Sequence, residues 1–171
     1  MSIQQGEMAA GTYRTTEFEP SLQFTVGKGW RAMFPDDSDE VALEQGDDAI
    51  FLAMTRVSRV VDPSSFVGAD VPDDLISWLA QHHALATSEP RSVEVAGISG
   101  MMVDACVISD REMFAYETGN MRVVSGDRVR YVVLPLDGPD LTIVIGTNSE
   151  TGLDGALETV QPILDSLEIA N

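Results

Sequence analysis

The side chains best suited to bind a metal ion are the carboxylates between residues 36 and 48. The run Asp36-Asp37-Ser38-Asp39-Glu40 places four of them in five residues, and Asp47 and Asp48 follow. Ca²⁺ takes about six to eight oxygen ligands, so Asp36, Asp37 and Asp39 form a candidate calcium site. An EF-hand loop has a glycine at its sixth position and a glutamate at its twelfth, and this segment has neither. We therefore expect a solvated acidic loop, with the calcium site as the weaker interpretation.

The two histidines, His82 and His83, could ligate a transition metal. Neighbouring residues of a helix point about 100° apart, so the two rings cannot easily share one ion. No metal-binding motif elsewhere in the sequence supplies a third ligand. We expect His82 to pack beside Trp78 and His83 to be exposed to solvent.

Asp104 interrupts the apolar run at residues 101–107, so its carboxylate is expected to be partly removed from water. A buried carboxylate needs a partner, and perturbed carboxylates are common at functional sites. An arginine on a neighbouring strand, Arg128 or Arg130, would satisfy Asp104 as a structural ion pair. Cys106 is the single cysteine, which excludes an internal disulfide and indicates a small buried hydrophobe.

Sequence motifs of common enzymes are missing from this chain. It has no G-x-S-x-G elbow, H-E-x-x-H pair, P-loop or G-x-G-x-x-G turn, and two histidines in one helix leave few routes to a Ser-His-Asp triad. Aromatic residues make up only 6% of the chain, which argues against a sugar-binding cleft. We expect no enzymatic activity. The alternative is a hydrolase or a metal-dependent enzyme that uses Asp104 or the acidic loop at 36–48.

The surface is expected to be strongly acidic. The chain has 28 Asp and Glu against 10 Lys and Arg, a formal net charge of −18. Such a surface repels phosphate, so nucleic acid is a poor partner and a basic protein a good one. No window is long and apolar enough to insert into a membrane, and residues 1–10 lack the pattern of a secretory signal. The location stays open between the cytoplasm and, if a signal has been removed, an exported or cell-envelope location.

Hydrophobic spacing predicts two principal helices, at residues 72–84 and 151–167. Thr151 and Asp154 resemble a capping box, and Pro162 predicts a kink or a restart. Strands are predicted from alternating or continuous apolar patterns, at 13–18, 22–26, 41–44, 49–61, 92–96, 101–109, 121–124, 128–136 and 141–146. The later strands read as an antiparallel meander with a loop at 110–120. Residues 1–10 are expected to be a flexible tail before a single domain at 11–171.

Three segments resemble the Mog1/PsbP superfamily. One is Ser92-Val93-Glu94-Val95-Ala96-Gly97-Ile98-Ser99-Gly100, similar to the V-x-V-x-G-x-x-G segment after the first helix of these proteins. Another is Pro162-Ile163-Leu164-Asp165-Ser166-Leu167, which resembles their closing I-L-x-S-L helix. The third is the opening Gly11-Thr12-Tyr13, Phe24-Thr25-Val26 and Gly29-Trp30, similar to uncharacterised, often exported or lipid-anchored, bacterial members. The resemblance implies the α+β class, a three-layer α/β/α sandwich around a mainly antiparallel sheet, and a binding or assembly role.

These observations predict a non-catalytic protein-interaction or assembly module without a cofactor. Its partner is expected to be a protein, with a basic surface if charge attracts it, and a homo-oligomer is compatible with the sequence. Binding is expected at a sheet edge or at the loops 36–48 and 110–120, because loops usually carry specificity. The alternatives are a small apolar ligand and a chaperone-like or immunity role toward a hydrophobic or basic client. The residues predicted to carry binding are Trp30, Asp36, Asp37, Asp39, Glu40, Trp78, Asp104 and Tyr116.

Overall fold

The computed structural model describes residues 1–46, 50–116, 119–148 and 152–170. Its helices are α1 (Leu75–Ala80) and α2 (Gly152–Asp165). Its strands are β1 (Gly6–Glu7), β2 (Gly11–Arg14), β3 (Leu22–Val26), β4 (Trp30–Ala32), β5 (Glu40–Gln45), β6 (Ile50–Thr55), β7 (Arg59–Val61), β8 (Gly68–Ala69), β9 (Leu85–Thr87), β10 (Arg91–Val95), β11 (Ile98–Val107), β12 (Arg111–Ala115), β13 (Asn120–Val123), β14 (Arg128–Leu134), β15 (Leu141–Thr147) and β16 (Glu168–Ile169). No helix in this described part is long and apolar enough to cross a membrane.

A nine-stranded antiparallel sheet forms the centre of the protein. Eight of its strands follow the order β1-β4-β5-β6-β15-β14-β11-β10, and β9 also pairs with β11. Within the predicted meander, β10 adjoins β11 and β14 adjoins β15 as expected, but β11 pairs directly with β14, without the predicted strand at 121–124 between them. The strands β12 and β13 leave it and join β7 and β8 in a separate four-stranded sheet. The predicted loop at 110–120 therefore contains a strand, β12.

Both faces of the central sheet are buried, because successive residues of its inner strands enter two different hydrophobic clusters. On β15, Ile143 and Ile145 belong to one cluster and Val144 to the other. On β6, Leu52 and Ala53 separate in the same way. A strand buried on both faces has a continuous apolar sequence, and the strands predicted at 49–61 and 141–146 both contain such a run.

The α+β class, the mainly antiparallel sheet and the presence of two helices are confirmed. The α/β/α layering is not confirmed, because the outer layer on each side of the central sheet consists of a helix together with a small sheet. The three-stranded sheet β16-β3-β2 lies with α2 over one cluster, and the four-stranded sheet lies with α1 over the other. The helix α1 has 6 residues, about 9 Å of length, while adjacent strands lie about 5 Å apart. It is too short to cover a wide sheet, so strands cover the rest.

The first helix is shorter than the predicted range of 72–84. Asp74 is its N-cap, and the Asp74 carboxylate accepts a hydrogen bond from the Ser77 backbone N–H at 2.9 Å. The N-cap is the last residue before the helical turns begin. Pro72 and Asp73, which precede Asp74, therefore lie outside the helix. After Gln81 the chain turns into β9, a strand that the sequence analysis did not predict.

The closing helix also differs slightly from the predicted range of 151–167. It begins at Gly152 and ends at Asp165, and the proposed capping residue Thr151 lies outside the described residues. The helix continues through Pro162, so of the predicted kink or restart the restart does not occur. Val160 and Ile163, on either side of the proline, are buried against the sheet, so packing holds this turn where propensity opposes it.

Residues 1–10, predicted as a flexible tail, lie against the domain. Gly6 and Glu7 pair with β4, and the side chains of Ile3 and Met8 are only 2% and 7% exposed. Burial of one such side chain contributes about 1.5–3 kcal/mol. Two isolated apolar residues give no periodic signal in the sequence, yet they suffice to anchor a short segment.

Candidate functional site

A groove of about 730 Å³ opens between the two segments that the sequence analysis singled out as binding loops. One wall consists of β5, β6 and the residues just before β5, and the other follows the turn between β12 and β13. We call this feature the acidic groove and define it by Phe34, Asp37, Glu40, Phe51, Tyr116 and Met121. It therefore joins residues that are distant in the chain.

The floor of the acidic groove is apolar, and a glycine makes room for it. Phe51 on β6 is the cross-strand neighbour of Gly146 on β15, and a Cβ at position 146 would overlap the Phe51 ring. The ring therefore fills the space that a larger residue would occupy. At the rim, Phe34 is 48% exposed. The groove thus offers aromatic surface to a ligand.

The charges that line the acidic groove are mostly negative. Glu44 is paired with Arg31 across β4 and β5. Arg122, the one lysine or arginine among the described lining residues, is paired with Asp110 at 2.7 Å. In the described part of the chain, no ion pair reaches Asp37 or Glu40. Two carboxyl groups therefore face the groove without a cation.

Glu40 is the most perturbed of these groups. Burial, followed by the negative charges of Asp37 and Asp39, raises the pKa of its carboxyl group from 4.5 to about 7. Removal of a carboxylate from water disfavours its charged form, as do like charges nearby. Near neutral pH, Glu40 therefore exists as a mixture of the protonated and ionised forms.

Tyr116 is fixed by hydrogen bonds at the edge of the same groove. Its hydroxyl oxygen lies 3.0 Å from Thr55 Oγ1, and Thr55 also donates to the Asp39 carbonyl at 2.9 Å. Burial raises the pKa of Tyr116, the Thr55 bond opposes this, and the nearby charges of Glu40 and Asp39 add to the rise. The phenol stays neutral and can only give or accept a hydrogen bond.

The acidic run divides into structural and groove-facing members. The Asp36 carboxylate accepts hydrogen bonds from the Thr16 hydroxyl at 2.8 Å and the Glu17 backbone N–H at 3.3 Å, and also from the Thr16 backbone. Asp37 lines the groove while one of its oxygens accepts from the Asp39 backbone N–H at 2.9 Å. The remaining acidic candidates, Asp47 and Asp48, lie outside the described residues.

No group of three or more histidine, cysteine, aspartate or glutamate residues in the described ranges is arranged to hold a metal ion. His82 is 3% exposed and packs edge-on against Trp78, with 4.9 Å between ring centres. Burial lowers the pKa of His82 to about 4, with the nearby charges of His83 and Arg111 acting in the same direction. The predicted packing of His82 beside Trp78 and the exposure of His83 are confirmed.

The remaining predicted binding residues lie away from the acidic groove. Trp30 is 3% exposed and belongs to the core beneath α2, so it has no surface with which to bind. Trp78 is half-buried on α1. A second, more open concavity of about 750 Å³ lies between the start of α1 and the β10–β11 hairpin, and none of the predicted residues lines it.

Asp104 forms an ion-pair network on the other half of the sheet. Its two oxygens lie 2.6 and 2.8 Å from the Arg130 guanidinium, and Arg91 reaches one of them at 2.9 Å. Arg130 stands directly opposite Asp104 in the pairing of β11 and β14, whereas Arg128 stands opposite Cys106. The prediction of a neighbouring-strand arginine is confirmed, with Arg130 as the partner. The bond to Asp104 raises the pKa of Arg130, although burial opposes it.

The sequence analysis missed the apolar half of the groove. Phe34 adjoins the acidic run but was not a candidate, and Met121 lies at the start of a predicted strand. Phe51 falls within the strand predicted at 49–61 and was not singled out. Its position could have been inferred only from the register that places it over Gly146, which depends on the pairing of two strands far apart in the chain.

Comparison with known proteins is informative only at the level of structure. No protein-family model matches the chain, and no curated protein matches it significantly in sequence. The solution structure of PsbP (CyanoP) from a Synechocystis cyanobacterium covers 95% of this chain and 94% of its own, with a TM-score of 0.50 and 10% identity. The crystal structure of LpqN, a protein involved in cell envelope biogenesis of Mycobacterium tuberculosis, covers 88% of this chain and 83% of its own. Its TM-score is 0.38 and its identity 11%, too distant to support an argument. The chain therefore has the PsbP-like fold, which confirms the resemblance to the Mog1/PsbP superfamily as a likeness of structure.

Proposed function

We propose that this protein is a non-catalytic interaction module that binds a basic, apolar segment of a partner protein in the acidic groove. The observation that carries the proposal is the groove itself, which is lined by aromatic side chains and by two carboxyl groups that no cation of the described residues pairs with. A segment with apolar side chains and one arginine or lysine complements both features.

The overall charge supports the same partner. With a net charge of −18, the protein attracts basic proteins from a distance and speeds their encounter. That long-range attraction is not specific by itself. The groove supplies specificity, because Phe34 and Phe51 can pack against an apolar side chain of the partner, and Asp37 and Glu40 can pair with a cation in the same segment.

The PsbP-like fold supports a scaffold role but does not identify the partner, because one fold serves many functions. The groove suits a short extended segment better than a large flat surface. Its volume of about 730 Å³ is within the range of roughly 300–1,000 Å³ that ligand pockets usually have. We therefore place specificity in a few side chains of the partner rather than in a broad interface.

Peptide binding tests the proposal directly. The probe is a fluorescent, end-capped peptide with alternating apolar and arginine residues, and its neutral counterpart carries citrulline in place of arginine. At about 50 mM salt, where screening is weak, we expect the arginine peptide to bind the wild type about 10-fold tighter, a difference of about 1.4 kcal/mol. The double variant Asp37→Asn with Glu40→Gln should lose this discrimination.

A charge-matched control separates the groove from the general acidity of the surface. The variant Asp137→Asn with Glu89→Gln removes the same two residue types from exposed positions outside the groove. It should keep the preference for arginine. If both double variants lose it equally, or if the citrulline peptide binds the wild type as well as the arginine peptide does, the proposed function is wrong.

A further inference from the structure

Glu40 occupies a distinctive position in the acidic groove. It is the first residue of β5 and stands opposite Thr55 on β6, and its side chain lines the groove. In the described part of the chain, no hydrogen bond or ion pair reaches its carboxyl group. The group is therefore available to a ligand in a way that the bonded carboxylate of Asp36 is not.

The groups around Glu40 leave it in an excess of negative charge. Asp37 and Asp39, from the preceding loop, both act on it. Tyr116, which follows β12, is neutral, and Arg122 on β13 is engaged by Asp110.

The neighbouring strand β6 has the sequence Ile-Phe-Leu-Ala-Met-Thr and contributes no charge. Directly after it, Arg56 turns its guanidinium to the Glu19 carbonyl at 2.5 Å. On the strand of Glu40 itself, Glu44 is paired with Arg31. No neighbouring cation therefore neutralises Glu40 in the described structure.

We propose that Glu40 is the residue that selects the partner's cation, and that a guanidinium or ammonium group entering between Asp37 and Glu40 displaces a proton from Glu40. This inference rests on the proposed function, since it concerns the same groove. The protonated carboxyl group loses its proton to solvent, and the resulting carboxylate forms the ion pair with the incoming cation. An uncharged or acidic segment cannot displace the proton. It gains no attraction from the neutral Glu40 carboxyl group, and an acidic one is repelled by Asp37.

Proton displacement makes binding depend on pH in a defined way. With a pKa of about 7 for Glu40 in the free protein, roughly a tenth of the molecules are ionised one pH unit below that value and roughly nine tenths one unit above it. If the cation requires the ionised form, affinity rises about 10-fold between pH 6 and pH 8. At pH 7, each binding event releases about half a proton.

The experiment combines fluorescence anisotropy from pH 6 to 8 with calorimetry at pH 7 in two buffers of different ionisation enthalpy, using the arginine peptide. The wild type should show the 10-fold rise and the proton release. Glu40→Gln should bind with no pH dependence and no release. The matched variant Glu89→Gln, at an exposed position outside the groove, should keep both effects.

A second variant tests the electrostatic cause. Asp37→Asn removes one like charge near Glu40, so the rise in affinity should move to lower pH. A wild-type affinity that is constant from pH 6 to 8, or a rise that persists in Glu40→Gln, would overturn the role of Glu40 while leaving the groove as the binding site. Absence of binding at every pH would overturn the proposed function as well.

Discussion

The raised pKa of Glu40 predicts a measurable effect on stability without any ligand. The pKa of its carboxyl group is about 7 in the folded protein against an ordinary value of 4.5. Because the folded state holds this proton more tightly, Glu40 favours folding fully below pH 4.5, and that contribution is lost as the pH rises to about 7. The difference corresponds to about 3 kcal/mol at most, and to about 2 kcal/mol after allowance for its partial exposure.

The variant Glu40→Gln removes this titration and keeps the size and polarity of the side chain. The free energy of unfolding of the variant minus that of the wild type should increase by about 2 kcal/mol between pH 4.5 and pH 8. Urea unfolding at four pH values measures it, and Glu89→Gln supplies the baseline for loss of one carboxylate from an exposed position. A difference that is flat with pH, or that falls as pH rises, would refute the placement of Glu40 in a low-dielectric, negatively charged site.

Three further predictions concern the elements around the groove. Asp104→Asn should lower the free energy of unfolding by about 1–3 kcal/mol, and a double-mutant cycle with Arg130→Gln should give a coupling near 1 kcal/mol; no coupling would contradict a structural ion pair. Gly146→Ala should displace the Phe51 ring, cost about 1–3 kcal/mol in urea unfolding and weaken arginine-peptide binding, and Phe51→Leu should relieve the stability loss. Ala96→Asn should add about 0.5–1 kcal/mol to the free energy of unfolding, because Ala96 has φ of 52° in a tight turn where asparagine is favoured; a loss of stability would show that the turn needs alanine for another reason.

Much of the fold follows from short-range pattern. The alternation at Leu22, Phe24 and Val26 predicted a strand with one buried face, and it pairs with β2 in a hairpin. The unbroken apolar run of β6 is typical of a strand buried on both faces, and its residues do enter both hydrophobic clusters. The strands predicted at 92–96 and 101–109 are β10 and β11, although β11 begins three residues earlier than predicted because the turn consists of Ala96 and Gly97 alone. These signals are readable because each depends on residues a few positions apart.

The errors have a common physical origin. Residues 110–120 were read as a loop, yet β12 forms there because it lies between β13, which follows it, and β7, about fifty positions earlier in the chain, and pairs with both. The helix predicted at 72–84 ends earlier, at Ala80. The chain then turns so that Leu85–Thr87 can pair with β11 as β9. In both cases a partner distant in sequence decided the local conformation.

The sequence alone determined that the chain is acidic, that it folds around a mainly antiparallel sheet with two helices, and that its acidic loop is a candidate binding element. The tertiary structure decided which carboxyl groups are bonded to other side chains and which are left unpaired in the groove. Asp36 is hydrogen-bonded to the Thr16 loop and Asp104 is paired with two arginines, whereas Glu40 lines the same groove as Phe51 and has no cationic partner among the described residues. A carboxylate's partners, its burial and its pKa depend on what the folded chain places within a few ångströms of it, and no local pattern of residues contains that information.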